Sequence, residues 1–460
     1  MSLTSEQTLP VFDYSIIGVG ATGLSCARYL QNRGDSFSLC DTRSKPPGAA
    51  DVLREFAGID IYFGELPLAV LKNSKRLLVS PGVSLETHAI RQVLDQGVSL
   101  CSDLDLFRAE IKCPVVCVTG SNGKSTVATL LAEIAKAAEI NVCLCGNIGL
   151  PVLDALDDSI ELYVLEVSSF QLERSAALAA DAATILNISA DHMDRYSDLE
   201  SYASSKQRVF MNADKCIINR DELACKNRHG EAYSSFGFSE PAAGLFGVAQ
   251  VAGDTHLMYG DSPLLPTSEM RLQGTHNVSN ALAALALAQA IGISLEVACG
   301  VLRKFAGLPH RCEHIADIDG RSFINDSKGT NVGATVAALE GLGTPDDRRM
   351  VLIAGGVGKG ADFSELSDAV SAHAHSVLVY GQDAEQIADA LETHTEIHRC
   401  NDLAEAVNRA YDLSAPCDTV LFSPACASFD MFDNFEQRGD RFRELVLSFR
   451  RKTSASGVGQ

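Results

Sequence analysis

Short apolar runs rich in Val, Ile and Leu recur along the chain, each closed by a small or polar cluster and followed by a stretch of helical spacing. They include Tyr14 to Ile17, Leu77 to Val79, Val115 to Val118, Leu162 to Val167, Thr184 to Ile188, Val351 to Gly356 and Thr419 to Phe422. Unbroken apolar runs, as opposed to strict alternation, belong to strands covered on both faces, and strands alternating with helices build βαβ units. The pattern predicts an α/β fold with mostly parallel sheets, in three sections: residues 1–103, 104–307 and 308–460. The most apolar stretch, Ala281 to Ile293, is too short to span a bilayer and predicts a buried helix. No tandem repeat or low-complexity block breaks the pattern, and only the tail after Lys452, TSASGVGQ, is expected to fray.

Composition narrows the function. A chain of 460 residues predicts two to four domains, each with its own core, and 46% hydrophobic against 21% charged residues is globular usage. With 59 acidic residues against 38 Lys and Arg, the net charge of −21 repels nucleic acids and anionic membrane surfaces. Absent Trp and 6% aromatics offer no base-stacking platform. Small anions remain possible, because backbone N–H groups and a few placed cations override a global field inside one pocket. The first residues carry no basic segment of a secretory signal, so a cytoplasmic protein without membrane insertion is expected. The 14 cysteines lie mostly in apolar runs without C-x-x-C or zinc spacing, and read as reduced, packed thiols.

Three kinds of polar cluster carry candidate chemistry. Gly18-Val19-Gly20-Ala21-Thr22-Gly23 directly follows the first strand and Asp41 ends the next. In that context glycines let the backbone turn tightly and approach a diphosphate at a helix N-terminus, the plain alternative being a tight turn. Asp41 could hold a ribose as in NAD enzymes, but Thr42 and Arg43 add a donor and a charge, so the nucleotide stays open. Ser80-Pro81-Gly82 reads by itself as an ordinary turn. In the second section, Thr119-Gly120-Ser121-Asn122-Gly123-Lys124-Ser125-Thr126 is a phosphate loop with Val118 where the usual pattern has glycine. Backbone donors for phosphate, Lys124 for the β/γ oxygens and Ser125 for Mg²⁺ are retained, so ATP is expected around Gly120, Asn122, Gly123, Lys124, Ser125 and Thr126. A glycine-rich turn without a ligand is the alternative.

Glu166, inside an apolar run, needs a metal or hydrogen-bond partner if buried, or else caps a helix. His192 as a lone histidine is most often structural, and only its seat at a strand end suggests a ligand role. Lys206, in Ser204-Ser205-Lys206-Gln207-Arg208, reads as a solvated helix face. In the third section Pro309-His310-Arg311, Asn325 to Asn331, Val357 to Asp362 and Ser423 to Asp430 are each explicable as turns or caps; together they suggest one anion-binding wall. His373 and His375 are expected on an exposed helix without a role.

The motifs T-G-S-N-G-K-S-T, L-E-V-S-S-F-Q-L, N-I-S-A-D-H-M-D-R, G-T-H-N-V-S-N (Gly274 to Asn280), L-P-H-R and N-D-S-K-G-T-N follow in that order. Through them the chain resembles the Mur ligases of peptidoglycan synthesis over essentially its whole length. The closing S-P-A-C-A-S-F-D-M-F-D-N-F-E-Q-R-G is similar to the D-glutamate-adding member, and the D-N-P-R of the diaminopimelate-adding one is absent. The resemblance implies a Rossmann-like UDP-binding domain, a central P-loop ATPase-type domain and a C-terminal Rossmann-like amino-acid domain. It implies ATP-dependent addition of D-glutamate to UDP-N-acetylmuramoyl-L-alanine through an acyl phosphate, by a monomer.

By the same resemblance, two Mg²⁺ ions would be held by Ser125, Glu166, His192 and a Lys206 carbamylated by CO₂, which reverses the composition reading of Lys206. Asn277, Arg311, Asp326 and Lys328 would contact ATP, with Asn280 a weaker candidate. Gly20, Thr22, Gly23, Asp41, Thr42, Arg43, Ser80, Gly82, Asn147, Ser168, Gln171 and His192 would line the UDP-substrate, which displaces the NAD reading. D-Glutamate would lie against Lys328, Thr330, Lys359, Ser428 and Phe435. One departure is Val357, where the family commonly has Asp, and it bears on how Lys359 is oriented. A folylpolyglutamate synthase would share the centre but lack the first section and the closing motif; an NAD-dependent oxidoreductase would need a hydride-acceptor site for which no residues are found.

Overall fold

The computed structural model describes residues 10–272, 274–343 and 348–456. Its first sheet is all parallel, in the order Asp60–Phe63, Phe37–Asp41, Phe12–Ile17, Ser74–Val79, Ser99–Cys101. The chain order reverses between Phe12–Ile17 and Ser74–Val79, and the crevice beyond their C-terminal ends is where such sheets take ligands. The second sheet, also all parallel, runs Ser234–Phe236, Cys216–Asn219, Ala182–Ile185, Val115–Thr119, Leu162–Glu166, Val142–Gly146. The third runs Glu313–Ile318, Arg321–Asn325, Thr419–Phe422, Met350–Gly355, Ala374–Tyr380, Glu396–Arg399, and only its first pair is antiparallel. The predicted α/β class holds for all three.

Several expectations shift. A small antiparallel sheet, Phe246–Val251, Asp254–Tyr259 and Ser262–Pro266, was not anticipated; it buries Phe246, Leu257 and Leu265 against the central core. The apolar helix is Thr275–Ala290, six residues earlier than its apolar centre suggests, which places Asn277 and Asn280 in its first turns. The run from Thr184 is a strand only to Ile185, leaving Asn187 to His192 as loop. His375 stands in the strand Ala374–Tyr380, and His373 closes a helix half-buried, so the exposed helix expected there is corrected. The terminal helix Phe435–Ser456 covers the first part of the tail expected to fray; the remainder lies outside the described residues.

The helix Asp103–Glu110 begins at the drawn border between the first two sections. A capping box of Ser102 and Asp105 starts it, and it sends Leu104, Leu106 and Phe107 into a cluster shared by both sheets, where Phe107 meets Tyr163 edge-on at 5.0 Å. The third section keeps its own two clusters on either face of its sheet. All 14 cysteines are free, as expected of packed thiols, with Cys417 exposed.

Candidate functional site

The crevice of the first sheet is formed by two turns that lean on each other. A Cβ on Gly23 would stand 1.8 Å from the Gly18 carbonyl oxygen, and one on Gly18 would stand 2.8 Å from the Ser80 Cβ, so both positions exclude a side chain. Ser80 Oγ donates to the Gly18 carbonyl at 2.9 Å, Gly20 and Thr22 stand at the start of the helix Ala21–Arg33, and Gly82 follows Ser80 in the second turn. Asp41 is 2% exposed, and its carboxylate accepts from Val19 N at 3.0 Å and from the Arg43 Nε and Nη2 at 2.8 Å each. Burial pushes this carboxyl up, but Arg43 and the Val19 amide outweigh it and hold it below its usual value. At the expected strand end, Asp41 thus bonds Val19 and holds Arg43, which is half-exposed beside Thr42.

In the central sheet the phosphate loop leaves Val115–Thr119, the strand at which that sheet's order reverses. Gly123 caps the helix Lys124–Ala137 at φ 80°, and a Cβ there would meet Asn280 Oδ1 at 2.4 Å, so only glycine lets the long apolar helix press against the loop. Asn187, a residue the sequence reading passed over, props the loop: its Oδ1 accepts from Asn122 N at 2.7 Å and its Nδ2 donates to Asn122 O at 3.0 Å. Lys124 Nζ donates to the carbonyls of Gly120 and Ser121, both at 2.9 Å, and Lys206 Nζ donates to the same Gly120 carbonyl at 2.8 Å.

Lys206 is 1% exposed and lies 4.5 Å over the Tyr202 ring. The solvated face read from composition is thus corrected; a serine-rich helix, Leu199–Gln207, turns this residue inward. Burial, and next the charge of Lys124, drive its amine well below the usual lysine value. A neutral amine is the form that can attack CO₂.

Glu166 ends Leu162–Glu166 and caps no helix. It is 2% exposed; Oε1 accepts from Asn147 Nδ2 at 2.8 Å, while Oε2 is buried with no hydrogen-bond partner. Burial pushes this carboxyl up, yet Lys124, Ser125 and Asn147 together hold it below its usual value, so an anion with a free oxygen faces the phosphate loop. His192 adopts the left-handed region at φ 59°, and its ring meets Phe170 edge-on at 4.8 Å. Burial lowers this imidazole to about 4, so it stands neutral with a lone pair to give. Ser168 and Gln171 form the capping box of the short helix Ser169–Leu172, which engages the side chains expected on the UDP-substrate. Among the described residues no three His, Cys, Asp or Glu side chains converge as a metal cluster. The unpartnered Glu166 oxygen and the neutral His192 nevertheless suit a hard divalent cation once a third anionic group joins them.

The third sheet supplies the facing wall from three adjacent strand ends. After Arg321–Asn325 come Asp326, Lys328 and Thr330; after Thr419–Phe422 comes Ser428; after Met350–Gly355 comes Lys359. Arg311 Nη2 donates to Ser125 Oγ at 2.6 Å, Lys359 pairs with Asp191, and Asn331 Nδ2 donates to Asp191 Oδ2 at 3.2 Å. These bonds join the wall to the phosphate-loop side. Lys328 lies 3.8 Å over the Phe435 ring, and burial lowers its ammonium to about 8. Asp326 accepts from Ser423 Oγ at 2.7 Å and Cys312 N at 3.1 Å, and burial raises it to about 6.

Val357 pairs its backbone with Ala427 in both directions at 2.9 Å, and Lys359 takes its direction from Asp191, so the departure at 357 leaves that lysine pointed into the site. Arg438, also missed, is 0% exposed and binds Ser327 Oγ at 3.1 Å, Ser327 O at 2.8 Å and Cys426 O at 3.0 Å, tying two of the three strand-end loops together. Its only sequence signal is its place in the closing motif. Between the two walls lies a cavity of about 440 Å³, lined among others by Asn122, Gly123, Asn277, Asn280, Arg311, Asp326 and Lys328. Of the residues expected on ATP, the cavity thus brings together Asn122, Gly123, Thr126, Asn277, Arg311, Asp326 and Lys328, and Ser125 joins them through its bond to Arg311.

Family models match along the chain in sequence: a Mur ligase MurD-like N-terminal domain over residues 13–102, a Mur ligase middle domain over 118–288 and a Mur ligase glutamate ligase domain over 310–426. A UDP-N-acetylmuramoylalanine–D-glutamate ligase of Pseudomonas fluorescens is 45% identical over 433 residues, covering 94% of this chain and 97% of its own length. One from Methylobacillus flagellatus is 46% identical over 443 residues, covering 95% and 97%. Among solved structures, a pseudomurein peptide ligase type C from Methanothermus fervidus superposes with a TM-score of 0.60 at 18% identity over 95% of this chain and 99% of its own. A UDP-N-acetylmuramate-alanine ligase from Thermotoga maritima does so with a TM-score of 0.57 at 19% identity, again over 95% and 99%. These two share the three-domain α/β fold.

Proposed function

Because the chain belongs to the Mur ligase family, we propose that its walls perform one reaction, the ATP-dependent joining of D-glutamate to UDP-N-acetylmuramoyl-L-alanine in peptidoglycan precursor synthesis. The observation that carries this reading is the 2.6 Å bond from Arg311 to Ser125, which brings the amino-acid wall onto the phosphate loop. ATP phosphorylates the terminal carboxylate of the UDP-substrate; the D-glutamate amine attacks the acyl carbon; the tetrahedral species collapses, forming the amide and expelling phosphate. Such a reaction asks the protein chiefly to hold its reactants in line and to neutralise charge.

Lys124 and Arg311 lie where phosphate charge develops. The crevice at Gly18–Gly23 takes the UDP part, with Arg43, Ser80 and Gly82 at its mouth. Lys328, Lys359, Thr330, Ser428 and Phe435 form the D-glutamate wall, with two cations for two carboxylates. Lys359 must then exchange Asp191 for substrate. Mg²⁺ would supply further charge neutralisation, with Glu166, His192, Ser125 and a carbamylated Lys206 to hold it. We place the domain borders at 103/104 and 307/308, and read the enzyme as a cytoplasmic monomer. Among the described residues no helix is long and apolar enough to cross a membrane.

The test is phosphate release from ATP with the UDP-substrate and D-glutamate, L-glutamate, L-alanine or meso-diaminopimelate in separate reactions. Release is expected only with D-glutamate. Release with another amino acid would move the substrate, and none at all would remove the reaction. Carbamylation has its own expected result: activity falls in CO₂-depleted buffer and returns with bicarbonate. Isotope-labelled bicarbonate should give a carbamate carbonyl signal that Lys206→Met lacks, and an unlabelled parent enzyme would refute the modification.

A further inference from the structure

On the reaction just assigned, the UDP-substrate must reach from the Gly18–Gly23 turn to the Glu166 and His192 turn, so the separation of those turns sets how its two ends are seated. We propose that Arg174 is a positioning residue that couples them. It lies outside every motif noted above and belongs to the central section, immediately after the capping box of Ser168 and Gln171. It is 3% exposed. Its Nη2 donates across the domain boundary to the Val83 carbonyl, while Nη1 donates to the Phe170 carbonyl and pairs with Glu173.

Each of those partners leads to a substrate end. Val83 N donates to Ser80 O at 2.9 Å, and the Val83 side chain would stand 3.1 Å from a Cβ on Gly18, so Arg174 grips the loop that leans on the diphosphate turn. Phe170 touches His192 at 4.8 Å and stacks on Tyr196 at 5.8 Å with 2° between planes. Tyr196 OH donates to Glu173 Oε2 at 3.2 Å, which closes the circuit back to the arginine. The Nε of Arg174 is buried with no partner, so the guanidinium is placed for its reach to Val83 and not for saturation of its donors. Another pair across this boundary, Arg28 with Asp154 at 3.8 Å, joins different elements. A buried arginine fork holding two backbone carbonyls fixes both distance and angle between the segments that carry them.

The experiment uses the full chain as parent, R174M and R174K, measuring KM for the UDP-substrate, ATP and D-glutamate, the Kd for plain UDP, and Tm. Plain UDP reaches only the first turn. R174M should raise KM for the whole UDP-substrate by about tenfold while the Kd for UDP and the KM for ATP stay within about twofold. R174K, which keeps a cation beside Glu173 but loses the fork, should raise it by about threefold. R174K also gives the answer should R174M fail to fold: an unchanged KM in R174K then overturns the inference. Equal weakening of UDP and whole substrate, or an unchanged KM in both variants of an active parent, would likewise overturn it, leaving the assigned reaction intact. A parent without D-glutamate-dependent phosphate release would instead overturn that reaction, and this inference with it.

Discussion

Lys124→Ala should abolish measurable turnover, with a loss of about 10³-fold or more in kcat, on the order of 4 kcal/mol of transition-state stabilisation. The reason is positional. Lys124 is the first residue of the helix Lys124–Ala137, and its ammonium is folded back onto the Gly120 and Ser121 carbonyls, inside the turn that would wrap a phosphate. Burial lowers this ammonium, with the nearby Glu166 opposing that shift; removing it relieves one desolvated charge but takes from buried Glu166 its main counter-charge, so Tm should fall below that of the parent. Loss of the cation also removes one cause that holds the Lys206 amine down. Lys124→Arg tests whether charge alone suffices: a bulkier planar group in this tight turn should recover little activity. Phosphate release from Lys124→Ala within tenfold of the parent would mean that the loop does not serve the reacting phosphates.

Glu166→Gln should lower kcat by about 10²- to 10³-fold while the fold survives. The amide keeps the shape and can still accept from Asn147, but the unpartnered oxygen loses its charge. Lys124 and Arg311 both feel Glu166 as a neighbouring anion that favours their charged forms, and Lys328 does so as well. Without it these buried cations face one another, which should cost about 3 kcal/mol of stability. ATP brings anionic charge to the same place, so the nucleotide-induced rise in Tm should be larger in the variant than in the parent. The two readings together separate a charge role from a packing role. Unchanged kcat, or a lower Tm that ATP restores no better than in the parent, would remove Glu166 from the reaction.

The phosphate loop was legible because its function rests on local backbone geometry: a strand, glycines at special conformations and a helix start, all contiguous in Thr119 to Thr126. The glycine turn at Gly18 to Gly23 was legible for the same reason, and so was the ordered set of motifs. What local pattern does not give is which protein groups a side chain meets. Asp41 sits at the expected strand end, yet its carboxylate turns back to Val19 and Arg43. Ser168 and Gln171 belong to a motif, yet cap their own turn. Asn187 and Arg438 lie inside quoted motifs and Arg174 outside them, yet none was given a role, because a prop's meaning lies in which distant backbone groups it reaches.

Lys206 marks the boundary most sharply. Serines and a glutamine around it dictate a polar helix, and polarity along one segment predicts solvent. Only packing of Leu199–Gln207 onto the phosphate loop places its amine on the Gly120 carbonyl, next to Lys124 and far from water. By itself the sequence determined the three α/β sections, the phosphate loop and the family, because hydrophobic period and contiguous turn chemistry are short-range properties of a chain. The tertiary structure alone decided which polar groups are desolvated together. Burial and the charges of remote neighbours set protonation, and both depend on residues that meet only when three sheets close over one site.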